Sequence, residues 1–227
     1  MGLVFAASLL GALDARDKYT AGHSVSIAKL AERIAEALDL GVRERTLAYR
    51  CGLVHDIGKI GLPVGLLEKS GPLTAEEISL IQEHPVIGAD ILARSEMFAE
   101  MAGIVRSHYE RVDEAGYPDR LAGSAIPILS RIITVSDAFD AMTSDRPHRQ
   151  VLPWNIAVER LSEGVGEQFD SRVVSAFMSI AASEQSYRRL AGAGTSESRI
   201  AMLPSSGPRS GAVNTGYSRF IQPAGVA

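Results

Sequence analysis

The chain has 227 residues, 46% of them hydrophobic and 22% charged. That is the balance of a soluble globular protein, and the length fits one domain, or one domain with a tail. Net charge is −4, from 23 Lys and Arg against 27 Asp and Glu, which argues against a protein that wraps a DNA or RNA polymer in positive charge. Cys51 is the only cysteine, so neither an intrachain disulfide nor a cysteine zinc cluster can form. A reducing, cytoplasmic location is expected.

Residues 1–13 are uncharged and apolar. They are too few for a membrane span and lack the basic leader of a signal peptide, so they are expected to begin a buried helix. Residues 23–39 place Ile27, Leu30, Ala31, Ile34, Ala37 and Leu38 on one stripe, with Gly41 as the stop signal. A second helix is expected over 43–58. Thr74 followed by Glu77 forms a capping box ahead of Ile78, Leu80 and Ile81. That helix should end near His84, with Pro85 opening the next, over about 85–94. Further helices fit 97–107, 128–143, 154–163 and 171–183, and no stretch shows strand alternation. The fold class is therefore all-α, a compact multi-helix bundle over residues 1–187.

Two stretches break the pattern. Residues 109–127 carry Gly116, Pro118, Gly123 and Pro127 and read as a long loop, the kind that in a compact domain is usually functional or disordered. Residues 188–227 are rich in Ser, Gly, Ala and Pro, have a net charge of +4, and read as a flexible tail; the remaining body carries −8.

The chemistry-bearing residues stand out by context. A lone histidine in an apolar helix is ordinarily a core residue bonded to a carbonyl. His55-Asp56, however, ends the apolar run Leu47–Val54, and Asp137 lies inside the apolar run Ile132–Phe139. A buried carboxylate is normally paired or coordinates a metal. His23, His84 and His108 fall near the ends of expected helices, where the helices of a bundle can converge. Nitrogen and oxygen donors of this kind suit Fe, Mn, Zn or Ni.

His55-Asp56-Ile57-Gly58-Lys59 and Gly116-Tyr117-Pro118, in order with His23, His84-Pro85, Ser136–Met142, Ser144–Pro147 and Gly166–Asp170, resemble the HD-GYP family, a branch of the HD-domain metal-dependent phosphohydrolases. The similarity covers about residues 8–180. The resemblance implies an all-helical fold around two divalent transition metals, with iron or manganese foremost and zinc, nickel or magnesium as alternatives. It implies hydrolysis of cyclic di-GMP to linear pGpG or GMP. The implied metal ligands are His23, His55, Asp56, His84, His108 and Asp137, with Asp56 bridging. Lys59 is implied beside the scissile phosphate, Arg146 and Arg149 against the dinucleotide, and Tyr117 on the loop lining its pocket.

Three positions depart from the family pattern. Tyr109 stands where a second histidine is usual and removes one imidazole from the second metal. Tyr19 replaces the glutamate of three-metal members, so a third metal is not expected. Asp113-Glu114-Ala115-Gly116 replaces a more glycine-rich run, which is expected to stiffen the loop.

The constellation matches its chemistry. Two metals about 3.5–4 Å apart lower the pKa of a shared water and neutralise phosphoryl charge. Asp56 has two oxygens and can face both ions. If the helix continues past His55, Lys59 lies one turn on along the same face, where its ammonium could stabilise charge on the phosphate; otherwise it is a solvated surface lysine. Arg146 and Arg149 share a face if helical and suit phosphate or a guanine edge, or are ordinary surface charge. His148 reads as a surface residue.

Two other functions stay open: a degenerate domain that binds a nucleotide or a signalling protein without turnover, and a phosphohydrolase of a mixed cyclic dinucleotide or nucleoside monophosphate. Oligomeric state is open as well.

Overall fold

The computed structural model describes residues 20–67, 69, 71–144 and 151–192, with side chains between 22 and 182. Eight α-helices follow in chain order: α1 (Thr20–Ala37), α2 (Val42–Val54), α3 (Ala75–Ile81), α4 (His84–Ala93), α5 (Ala99–Arg106), α6 (Ile128–Thr143), α7 (Trp154–Glu163) and α8 (Ser171–Gly192). Short 3₁₀ turns occupy Ile57–Gly61 and Gly123–Ala125. Among the described residues there is no β-strand, only the isolated bridges Asp113–Ala122 and Val165–Phe169. The all-α expectation holds. The helix expected from residues 1–13, Tyr19, Arg146, His148, Arg149 and residues 193–227 lie outside the described residues.

The core forms where α1 packs on α2, α6 and α8, and where α4 packs on α5 and the first 3₁₀ turn. Ile27, Ala31 and Ile34 are fully buried, as their spacing requires, and Ala28 and Ala35 join them. Ala37 is exposed, because the buried stripe shifts onto the Ala28–Ala35 edge. Along α6, Leu129, Ile132, Ile133, Val135, Phe139 and Met142 belong to the same buried cluster as Phe169, Val173 and Phe177. None of the described helices is long and apolar enough to cross a membrane.

Several helix ends differ from expectation, each for a local reason. The stop after α1 is Asp39, not Gly41. Asp39 takes a left-handed φ of 55°, which a short polar side chain tolerates. Its amide reaches Glu36 O at 2.9 Å, and the Leu40 amide reaches Ala35 O at 3.0 Å, the Schellman pattern. The second helix ends at Val54 rather than residue 58, and the chain tightens into the 3₁₀ turn. The third ends at Ile81, three residues short of His84. The last runs to Gly192, past the expected end at 183 and five residues into the stretch read as a tail.

The capping box of α3 forms as read: Thr74 Oγ1 accepts from the Glu77 amide, and Glu77 Oε2 accepts from the Thr74 amide at 2.8 Å. Lys69 Nζ donates to the same carboxylate at 2.6 Å, tying the preceding loop to the helix start. Asp170 ties the start of α8 to α6. Its Oδ1 accepts from the Arg172 and Val173 amides at 2.8 and 3.1 Å, capping α8, while Oδ2 takes Arg131 Nη1 of α6 at 2.5 Å.

Partial burial opposes ionisation of Asp170, but Arg131 and the two amides outweigh it and hold the carboxyl below its ordinary value of 3.8. A group whose folded pKa is depressed stabilises the fold above its unfolded pKa and loses that contribution as pH falls through the folded one. Asp170→Ala should therefore lower stability by about 1–2 kcal/mol near neutral pH, the usual cost of a lost cap. Thermal unfolding followed against pH should show the difference shrink below about 3.8.

Candidate metal centre

Three histidines reach the site by the same device. His55 Nδ1 lies 2.9 Å from Gly52 O, His84 Nδ1 2.7 Å from Ile81 O, and His108 Nδ1 2.5 Å from Val105 O. Each acceptor lies in the last turn of a helix (α2, α3 and α5), where carbonyls lack an intrahelical donor. A carbonyl only accepts, so each Nδ1 carries the proton, and Nε2 of the neutral ring is left with a lone pair. All three Nε2 atoms are buried without a hydrogen-bond partner, as is Asp56 Oδ1.

These acceptors face one another. His55 Nε2 lies 3.3 Å from Asp56 Oδ2, and His84 Nε2 lies 3.3 Å from Asp56 Oδ1, neither in hydrogen-bond alignment. The His55 and His108 rings are 5.4 Å apart, as are those of His84 and His108. Lone pairs converging in a buried space require a cation between them. Two donor groups meet that description: His23, His55 and Asp56, and Asp56, His84 and His108, each with its ligand atoms within 4.8 Å of one another. Asp56 is common to both and offers a different oxygen to each side. The donor set thus fits a pair of ions.

His23, in the first turn of α1, has no helix-end carbonyl to use. Its Nδ1 meets Asp140 Oδ2 at 2.6 Å and its Nε2 meets Asp137 Oδ1 at 3.3 Å. Burial pulls the His23 pKa down, but the two carboxylates outweigh it and push it up to about 9. His108 moves the other way, down to about 3, through burial and the neighbouring His84 and His55. Burial works against ionisation of Asp56 and Asp137, yet Asp56 is held well below its ordinary value by Lys59 and His55, and Asp137 by His23.

Lys59 is 6% exposed, and its Nζ donates to Asp56 Oδ2 at 2.6 Å. The expectation that a continuing helix places it one turn after His55 is corrected: the lysine arrives on the 3₁₀ turn. The alternative of a solvated surface lysine is also overturned. The turn is forced by close packing on α4, because a Cβ on Gly58 would lie 1.8 Å from His84 O. Gly58 thus lets the Asp56–Lys59 turn and the His84 helix start share one space.

Tyr109 lies against the same cluster. Its hydroxyl donates to Asp137 Oδ2 at 3.3 Å, and its ring lies 4.5 Å from His108 and 5.3 Å from His84. Tyr117 stacks on it at 5.1 Å with an interplanar angle of 11°. The loop does not avoid the conformation that its glycine-poor run disfavours: Glu114 takes φ 65°, while Asp113 accepts from the Ala115 amide and pairs with Arg111. The Tyr117–Pro118 peptide is cis.

Of the residues singled out in the sequence, His23, His55, Asp56, Lys59, His84, His108 and Asp137 are brought together, and Tyr117 joins them through Tyr109. Asp140 was missed. Its signal was available: a second carboxylate three residues after Asp137 in the same apolar helix, hence on the same face.

Residues 9–173 match the HD domain family. The chain belongs to that family. A cyclic di-GMP phosphodiesterase of Pseudomonas aeruginosa is 40% identical over 73% of this chain and 40% of its own length. A 3′3′-cGAMP-specific phosphodiesterase of Vibrio cholerae is 34% identical over 72% of this chain and 36% of its own. This HD-domain chain thus spans less than half the length of these curated relatives. A crystal structure of a cyclic GMP-AMP-specific phosphodiesterase from V. cholerae shares the fold, with a TM-score of 0.63 at 20% identity over 85% of this chain and 51% of that one. The HD-GYP resemblance read from the motifs is borne out at the level of family.

Partners that orient a ligating histidine typically contribute 10–100-fold in metal affinity. Asp140→Asn, which keeps the shape and removes the charge beside His23, should weaken metal retention by about 10–100-fold. Metal content after graded chelation, with circular dichroism as the fold control, measures it.

Proposed function

We propose that this chain is a metal-dependent phosphodiesterase that opens a cyclic dinucleotide, cyclic di-GMP foremost, to linear pGpG or GMP. The observation that carries the reading is the set of buried, unpartnered Nε2 atoms of His55, His84 and His108 around the shared carboxylate of Asp56. The names of the relatives, which cite cyclic di-GMP and 3′3′-cGAMP, support the substrate class.

In this reading His23, His55, Asp56, His84, His108 and Asp137 hold two divalent transition metals, iron or manganese foremost. Bound there, the metals supply a water of lowered pKa and positive charge for the phosphoryl oxygens. The protein's own residues do the rest. Asp56, ionised and buried, divides its two oxygens between the sides of the site. Lys59 donates a hydrogen bond to Asp56 and carries the ammonium that the reading assigns to the scissile phosphate. Tyr117 stacks on Tyr109 and presents the loop to the dinucleotide. Arg146 and Arg149 are assigned to the far end of the substrate on the motif match alone. Signalling-protein partners belong to the same reading.

One observation favours a second reading. Tyr109 donates to Asp137 where the family pattern has an imidazole, leaving Asp56, His84 and His108 as a three-donor group. A weakly held second ion would make the domain a binding module. Product chromatography with metal analysis separates the two.

On the leading reading, Asp56→Ala or His55→Ala abolishes product formation from cyclic di-GMP while the helical circular dichroism persists; full activity in either variant overturns the assignment. Tyr109→His should raise the metal retained per chain, measured after purification without chelator, and unchanged content would remove the argument for the second reading.

A further inference from the structure

Glu110 has no part in the centre described above, yet it is a carboxylate only 2% exposed, two residues after His108. Such a group must be paired or hydrogen-bonded to be tolerated. Among the described residues no basic side chain forms an ion pair with it. Its oxygens are instead taken by the main chain: Oε1 accepts from the Asp119 amide at 2.6 Å and Oε2 from the Leu121 amide at 3.0 Å. Those amides follow Gly116-Tyr117-Pro118 directly.

The rest of the loop is folded onto the same few residues. The Tyr117 amide donates to Tyr109 O at 3.3 Å, and the Gly123 amide donates to Val112 O at 3.2 Å. A Cβ on Gly116 would lie 2.4 Å from Arg111 N and 2.6 Å from Glu110 Cα, so the strand of loop carrying Tyr117 lies in contact with the Glu110 backbone. Arg106, at the end of α5, grips the Asp119 side chain with two hydrogen bonds of 2.7 Å. The loop is therefore tied at its base to the end of α5 and the residues that follow it, and Glu110 is a buried side chain among these ties. Glu110 also engages two loop amides at once.

We propose that Glu110 is a positioning residue for dinucleotide binding: it clamps the returning limb of the Gly-Tyr-Pro loop and so fixes Tyr117 against Tyr109 at the edge of the site. Its effect is on ground-state affinity, through a loop organised before the ligand arrives. This rests on the function proposed above only for the identity of the ligand.

Glu110→Gln is the discriminating variant. The amide is nearly isosteric but has one accepting oxygen, and its NH₂ would face the second backbone N–H, donor against donor. Hydrogen exchange read at single amides should show Asp119 and Leu121 protected in the native chain and selectively released in Glu110→Gln, with the helices unchanged. With cyclic di-GMP as substrate, KM should rise about tenfold while kcat stays within about threefold, the signature of lost uniform binding. Retained metal content completes the expected result. Rapid exchange of the two amides in the folded native chain overturns the clamp even without any variant. So does a Glu110→Gln variant in which exchange is unaltered, or in which kcat falls with KM unchanged. Should the native chain turn over no cyclic dinucleotide, the proposed activity fails, and the exchange measurement still decides the clamp.

Discussion

The structure turns on the placement of one carboxylate. Asp56 is 1% exposed, and its neighbours are the ring nitrogens of His55 and His84 at 3.3 Å and the ammonium of Lys59 at 2.6 Å. A buried ion pair of this sort contributes little to stability once desolvation is counted, and removing either partner leaves a costly unpaired charge. Its presence at the meeting point of α2, α4, α5 and α6 is therefore a requirement that function sets and the fold satisfies. The close approach of Gly58 to His84 O shows how tightly it does so.

A single backbone property organises the ligands around that carboxylate. The last carbonyls of a helix have no intrahelical donor. His55, His84 and His108 each lie three residues beyond such a carbonyl and each spend Nδ1 on it. The hydrogen bond fixes the tautomer and aims Nε2 away from the helix end. Three helix ends brought together by packing thus deliver three oriented lone pairs, with no dedicated side chain for the purpose. His23 enters from a helix start, where amides rather than carbonyls are exposed, and so a carboxylate, Asp140, does for it what the backbone does for the others.

Where the sequence speaks locally, it predicts the structure closely. Helices α6 and α7 begin directly after Pro127 and Pro153 and keep their expected bounds, because proline fixes the entry and the apolar period fixes the run. The capping box of Thr74 and Glu77 is equally local. The ligand set was legible because His and Asp stand in apolar surroundings that they would otherwise avoid. What was not legible depends on distant contacts. The early end of α2 goes with Gly58 meeting the start of α4, a contact that no local pattern shows. The ordinary reading of a histidine bonded to a carbonyl was correct for Nδ1 of three residues and silent about Nε2. Tyr109 is legible as a missing imidazole, but its bond to Asp137 and its stack on Tyr117 join residues 28 and 8 positions away.

On the proposed function, charge explains what metals would contribute to such a site. Outside the last forty residues the chain carries −8, and the site itself gathers the carboxylates of Asp56, Asp137 and Asp140. Against these the cluster sets the ammonium of Lys59. A phosphodiester anion brought to that assembly meets repulsion, and neutral imidazoles do nothing to offset it. Divalent ions held by these residues would reverse the sign locally, where the proposed function assigns the diester. On the proposed function, the acidic body also works against long polyanions, whose remaining phosphates would face it. A small cyclic diester carries only two phosphates.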